Sequence, residues 1–221
     1  MKIGIIIPDR GDRPELLENC KRMIGRQTVP VAYQYIVNDL PESEACDITK
    51  RYRKAYEAMK DFDVDVIAFI ENDDYYADDY LETMVKAWDQ HDRPDLFGIN
   101  YSIYYHLKLR AYFVMRHYER ACMMNTLMKP GLKINWPKDD EPYTDIHLWV
   151  NQKGITKKLF ESQHMISIGM KHGMSMTGGR AHVDRLDRYV NPDPKMYWLR
   201  HSTDPESFDF YERISKKLNN E

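Results

Sequence analysis

At 221 residues and 26.4 kDa the chain has the length of one generous α/β domain, in which about 70% of the unfolded surface is buried, so no disulfide or structural metal is required. Hydrophobic residues make up 43%, charged residues 30%, and mean hydropathy is -0.68. No apolar run nears the roughly 18 to 20 residues of a membrane span, which excludes a helical membrane protein. It sets the expectation of a cytoplasmic domain (host cytoplasm if phage-encoded) with neither signal peptide nor anchor. The net charge of -3 is unevenly spread. Acids dominate between Asp61 and Asp95, whereas Glu119 is the only acid from Tyr101 to Lys133, against six basic residues. That asymmetry predicts a metal-binding side and an anion-facing side. Cys20, Cys46 and Cys122 are odd in number and widely spaced, and are expected to be reduced thiols.

In chain order, residues 3–8 read as a short apolar strand ending at Pro8. Leu16, Leu17, Cys20, Met23 and Ile24 then recur at helical spacing behind Pro14, a good first-turn residue. Residues 33–37 form the next strand and run into Asn38 and Asp39, and Ala45, Ile48, Tyr52, Ala55 and Met59 share one face of a second helix. The apolar run 65–70 is a third strand, followed by a helix from near Ala77 that carries Leu81, Met84, Val85 and Trp88. This βαβαβα series predicts right-handed crossovers, a parallel sheet, and acids delivered to one sheet edge by Asp9, Asp39 and residues 71–74. Beyond it, strands are expected at 98–105 and 109–115, paired antiparallel, then a short helix at 145–150. Strands at 158–160 and 165–168 and a terminal helix with Phe208, Tyr211, Ile214 and Leu218 on one side complete the series. Met123, Met124 and Met128 read as core filler. The aromatic and basic residues from Tyr101 to Tyr118 read foremost as a half-buried sheet with alternating faces. Stacking on sugars or on nucleic acid is the functional alternative.

The third strand turns abruptly into Glu71-Asn72-Asp73-Asp74. Several carboxylates at the C-terminal edge of an open α/β sheet lie where such folds bind ligands. They raise one another's pKa values unless a cation intervenes, so a Mg²⁺ or Mn²⁺ bridging to a substrate phosphate is the expected occupant. The bland alternative, a solvated helix cap, suits Asp78 and Asp79.

The order strand-Pro8, Arg13-Pro14-Glu15-Leu16-Leu17, Gln27-Thr28, strand-Asn38-Asp39 and strand-Glu71-Asn72-Asp73-Asp74-Tyr75 resembles a family 2-type glycosyltransferase of the GT-A fold. The resemblance covers about the first hundred residues and is architectural afterwards. It implies one α/β domain with a mixed sheet: a parallel nucleotide-sugar-binding half over residues 1–100 and an antiparallel acceptor-binding, catalytic half over 101–221. By position, Asp73 is the metal ligand, and Glu71 or Asp74 touches the metal or the ribose. Asp39 recognises base or ribose, while Pro8, Asp9, Arg13 and Asn72 line the nucleotide-sugar pocket. The family's first acid is usually Asp, and here it is Glu71.

In that family the acceptor's base comes from an acidic segment before a short helix with a Trp. Residues 139–149 look similar, with Asp145 the first candidate and Asp140 and Glu141 in reserve; a helix N-cap at Thr144 or Asp145 is the structural alternative. A late histidine completes the metal site in several GT-A families. His172 resembles it, and His182 is the rival. Lys171 and Arg180, beside Gly178 and Gly179, are candidate counter-charges for a diphosphate. The resulting expectation is a metal-dependent glycosyltransferase that uses a nucleotide sugar, foremost a UDP-sugar. Its candidate acceptors are a 5-hydroxymethylpyrimidine in DNA, as in phage DNA-modifying enzymes, and a cell-surface saccharide. A sugar nucleotidyltransferase is the alternative from another class, weakened by the single glycine in the loop Asp9-Arg10-Gly11-Asp12-Arg13. A non-catalytic module that retains the fold is the third reading.

Overall fold

A computed structural model describes residues 1–43, 45–172 and 186–221. The chain begins with β1 (Ile3–Pro8), α1 (Pro14–Gly25), β2 (Val31–Val37), α2 (Ile48–Met59) and β3 (Val66–Phe69). Then come β4 (Tyr75–Tyr76), α3 (Tyr80–Gln90), β5 (Leu96–Ile99), β6 (Tyr101–His106), β7 (Ala111–Arg116) and β8 (Thr126–Met128). Helix α4 (Thr144–Ile146) continues as a π-helical turn over His147–Asn151. The chain closes with β9 (Lys157–Phe160), β10 (Ser167–Lys171), β11 (Asn191–Pro192), α5 (Tyr197–Ser202) and α6 (Pro205–Asn219).

One sheet runs β2-β1-β3-β8-β5-β9, and the other β11-β7-β6-β10-β4. Strands β2, β1 and β3 are parallel, as the crossover helices require. Strand β8 enters antiparallel between β3 and β5, and β9 lies parallel to β5. The first sheet therefore draws strands from both halves of the sequence.

The alternation of β1 divides the core. Ile5 and Ile7 face a cluster with Leu16, Cys20 and Met23 of α1, Leu81 and Met84 of α3 and Phe208 of α6, while Ile6 faces Tyr52, Ala55 and Met59 of α2 and Trp149. Met123, Met124 and Met128 are buried, as expected. Gly98 in β5 brings the turn after α4 close: a Cβ there would lie 2.6 Å from Asn125 O and 2.9 Å from the Trp149 ring.

Several expectations need correction. The segment expected as one strand over 98–105 is two strands in different sheets, broken at Asn100, whose N–H bonds to Phe160 O. The third helix starts at Tyr80, not near Ala77, whose N–H is taken by Ile166 O. Ala45 precedes α2 and is exposed. Strand β10 begins two residues later than expected and reaches Lys171. Four of the six bases of the middle segment already meet acids. Arg110 pairs with Glu221, Arg116 with Glu161, Arg120 with Asp145 and Lys129 with Asp95. The aromatic stretch is an antiparallel β6–β7 pair, partly buried on alternating faces. Among the described residues no helix is long and apolar enough to cross a membrane, and all three cysteines are free.

Candidate functional site

Each residue of the acidic turn is held by a different element. Glu71 leaves β3 with its backbone N–H donated to the Tyr76 hydroxyl at 2.7 Å, and its carboxylate accepts from the Tyr52 hydroxyl at 2.7 Å. Asn72 is buried, donates its amide to Asp9 and stands 3.5 Å from an Arg13 nitrogen. Asp73 Oδ2 lies 3.0 Å from His172 Nε2 and accepts from Arg13 Nη1 at 3.3 Å. Asp74 turns inward, fully buried, and its Oδ1 accepts the Met170 N–H at 2.8 Å. The two neighbouring aspartates thus have opposite outlooks: Asp73 faces the sheet edge, and Asp74 ties the turn to β10.

Their electrostatics follow. Burial opposes charge on Asp73, but the His172 hydrogen bond and charge, Arg13 and Lys171 outweigh it, and its carboxyl is held well below the usual range. Burial pushes Asp74 well above that range, and the Glu71 and Asp73 charges reinforce the shift although Lys171 opposes it. Burial also works against Lys171, yet Asp74, Asp73 and Glu71 together keep its ammonium charged. The Lys171 Nζ lies 5.2 Å from the centre of the Tyr104 ring.

Asp74→Asn follows as a test. An acid whose folded pKa is raised costs the folded state nothing below its unfolded value near 3.8, then progressively more as pH rises toward the folded value. Asparagine keeps the acceptor for Met170 and removes that cost. The variant is expected to be more stable at pH 7 by on the order of 1 kcal/mol, with the gain shrinking toward pH 4. Thermal unfolding across pH checks it, and a marked loss of stability at pH 7 would refute the raised pKa of Asp74.

The loop after β1 completes this edge. Asp9 is buried and uses both oxygens internally, accepting from Asn72 and from the Gly11 N–H at 2.8 Å. Gly11 has φ +71°, and a Cβ there would stand 2.4 Å from Asn38 O, so the β1 and β2 loops touch only because it is glycine. Pro8 is buried at the end of β1. Arg51 of α2 donates to Asp9 O at 2.5 Å and grips Asp47 one turn back at 2.7 and 2.9 Å.

Asp39 sits apart on an exposed loop, its carboxyl held low by Lys54. No described hydrogen bond or ion pair joins it to the acidic turn. Asp145 pairs with Arg120, and the N-cap of α4 is Tyr143, with no side-chain cap bond. The capping alternative is therefore not what Asp145 does. Thr144 is buried and its hydroxyl meets that of Thr49 at 2.5 Å, while Thr49 also donates to Glu141 O at 2.7 Å. These bonds dock α4 on the first turn of α2, next to Asp47 and Arg51. Asp140 is exposed; Glu141 accepts from the Tyr143 N–H at 3.0 Å and lies 3.7 Å from His147. Arg180, His182, Gly178 and Gly179 lie outside the described residues.

The expected four-ligand metal set is not gathered. Among the described residues no group of three or more His, Cys, Asp or Glu side chains is arranged to hold an ion. Asp73 Oδ2 and His172 Nε2 do converge, and they would offer one oxygen and one nitrogen donor to an ion that displaced the proton between them. That pair fits a divalent ion completed by substrate phosphate oxygens, as manganese or magnesium is often held.

Sequence reasoning missed Arg10, Asp47, Arg51 and Arg120, and read Tyr52 only as core. The i,i+4 spacing of Asp47 and Arg51 was the one local signal available.

No protein-family model matches the chain, and no curated protein matches it in sequence. In structure it is similar to S. aureus TarS 1-349 in complex with UDP-GlcNAc, at TM-score 0.50 and 11% identity, over 77% of this chain and 59% of that one. Similarity to the same protein in complex with UDP has a TM-score of 0.50 at 14% identity, over 77% and 60%. A third TarS 1-349 structure gives 0.50 and 14%, over 78% and 61%. The chain thus spans about three fifths of the length of these structures. The likeness shows the fold: a mixed α/β sheet of the GT-A type.

Proposed function

We propose that the chain is a glycosyltransferase that moves a sugar from a nucleotide sugar, foremost a UDP-sugar, to an acceptor hydroxyl. The observation that carries this reading is the meeting of Asp73, His172 and Arg13 at the C-terminal edge of β3 and β10, in a GT-A fold. The structures it resembles are of a protein in complex with UDP-GlcNAc and with UDP.

Transfer breaks the bond between the anomeric carbon and the diphosphate, so negative charge grows on the leaving phosphate. Asp73 and His172 would hold a Mn²⁺ or Mg²⁺ that, when bound, neutralises that charge. Arg13 and Lys171 add fixed positive charge beside it. Pro8 and Asp9 shape the nucleotide wall, Asp9 by fixing Asn72 and Gly11. Asp39 stands at the exposed rim, where a base or ribose can reach it. Asp145, paired with Arg120, would take the acceptor proton. For the acceptor, a saccharide hydroxyl is favoured over DNA, because four of the six basic residues between Tyr101 and Lys133 are already paired with acids.

Incubation with UDP-sugars, Mn²⁺ and a panel of saccharide acceptors tests this. UDP is expected to be released in an acceptor-dependent manner, with loss on chelation. Absence of both transfer and donor hydrolysis with every common nucleotide sugar would overturn the reading.

A further inference from the structure

Arg10 and Arg13 flank the β1–α1 loop, and both guanidiniums are largely buried, with side chains 15% and 13% exposed. Burying a guanidinium normally demands that its N–H groups be bonded, since each unmet donor carries its full desolvation cost. Here three are not. Nε and Nη1 of Arg10 and Nε of Arg13 are buried with no hydrogen-bond partner among the described residues. One carboxylate is shared between them. Asp12 lies between the two, its Oδ2 3.4 Å from Arg10 Nε and its Oδ1 3.5 Å from Arg13 Nε. Asp47 Oδ1 stands 4.0 Å from Arg10 Nη1. Charge-assisted N–H···O bonds run at about 2.7–2.9 Å, so every one of these contacts is stretched. The remaining Arg13 contacts, 3.3 Å to Asp73 and 3.5 Å to Asn72, are stretched as well.

Two forks with unfilled donors, converging on one loosely held carboxylate, have the form of an anion site. Asp12 itself is 42% exposed, so it can rotate into solvent without disturbing the core. A phosphate group presents tetrahedral oxygens that can bond both forks at ordinary length, whereas the planar Asp12 carboxylate stands 3.4 and 3.5 Å from them. Arg13 also bonds Asp73, so an anion held here lies beside the Asp73–His172 pair.

We propose that Arg10 and Arg13 form a clamp for the diphosphate of the donor, and that Asp12 is its built-in occupant, displaced when the donor binds. This rests on the nucleotide-sugar reading and extends it to two residues outside the acidic turn. Asp12 then sets donor affinity by competing with the diphosphate alone, and it leaves the binding of a ligand without phosphate untouched.

Calorimetric titration with UDP and with uridine, on wild type, Arg10→Ala and Asp12→Asn, tests the clamp. Arg10→Ala is expected to weaken UDP binding roughly tenfold, and Asp12→Asn to tighten it severalfold. Uridine binding is expected to be unchanged in both. Asp12→Asn alters a partly exposed side chain and keeps its shape, so it remains informative if Arg10→Ala fails to fold. Equal weakening of UDP and uridine by Arg10→Ala, or unchanged or weaker UDP binding by Asp12→Asn, overturns the clamp. UDP binding that responds to both variants without any sugar transfer by wild type would overturn the transferase reading and leave the clamp. Transfer by wild type with unresponsive variants would do the reverse. Wild-type protein that takes up none of UDP, GDP, ADP or inorganic pyrophosphate overturns both.

Discussion

Asp73→Ala is expected to abolish most turnover of a nucleotide-sugar donor, lowering kcat by about 10²–10³-fold, the scale on which loss of one electrostatic contact to a developing charge is felt. The geometry makes Asp73 the hinge of the site: it meets both Arg13 and His172. Its removal deletes the proposed ion ligand and also takes the shared acceptor from a buried imidazole and a mostly buried guanidinium. The second effect has its own signature. Asp73 has its carboxyl depressed in the folded state, so its contribution to stability is fully present above the unfolded value near 3.8 and is lost as pH falls below it. Breaking such a pair from one side costs on the order of 3 kcal/mol. The variant should therefore unfold at lower denaturant concentration than wild type at pH 7, and the gap should narrow in strong acid. Steady-state kinetics and denaturant titrations at two pH values check the two halves separately. Wild-type kcat in the alanine variant would remove Asp73 from the chemistry, whatever happened to stability.

The contrast between Asp73 and Asp74 marks where sequence stops being legible. That the run 65–70 is a buried strand, and that its acids fall at the sheet edge, follows from local composition, and the structure agrees. Which of two adjacent aspartates points outward does not. It depends on the Met170 N–H of β10, a distant segment that reaches Asp74 and leaves Asp73 to His172. The same limit explains the strands that were missed. β8 is three residues long and exists because β3 and β5 leave a gap that its antiparallel pairing fills. β4 is two residues, paired with Ser167 and Ile168. Periodicity needs a longer window than either offers.

Helices and strands with a full apolar face were readable because one side of each is packed against a core, as with Leu16, Cys20 and Met23 in α1. Charges were not readable in the same way. The basic segment looks unpaired along the chain, yet its partners Glu221, Glu161, Asp145 and Asp95 arrive from elsewhere in the fold. Net charge over a sequence window reports what a segment carries, and only tertiary structure reports what that charge already meets. Tyr52 is the converse case: its spacing correctly marks a core position, while its hydroxyl reaches through to Glu71.

Asp145→Asn is expected to lower kcat by about 10²–10⁴-fold, the usual worth of a positioned general base, with donor KM nearly unchanged. The short helix that carries it is docked at both ends. Thr144 is buried against Thr49, and the turn that follows is anchored by the Trp149 Nε1 bond to Thr126 Oγ1 at 3.1 Å. Arg120 engages Oδ2 of Asp145, which fixes the carboxylate's orientation. Asparagine fills the same space and keeps an oxygen for Arg120, so α4 stays docked and the loss is chemical. Wild-type kcat/KM should fall toward acid as the base is protonated, and the residual activity of the variant should lack that limb. The reserves behave differently: Asp140 is exposed, and Glu141 is occupied by the Tyr143 N–H, so Asp140→Asn is expected to leave kcat within a factor of two or so. An Asp145→Asn enzyme with full kcat and an unaltered acid limb would take the base role away from α4 altogether and move it to a group across the anomeric centre.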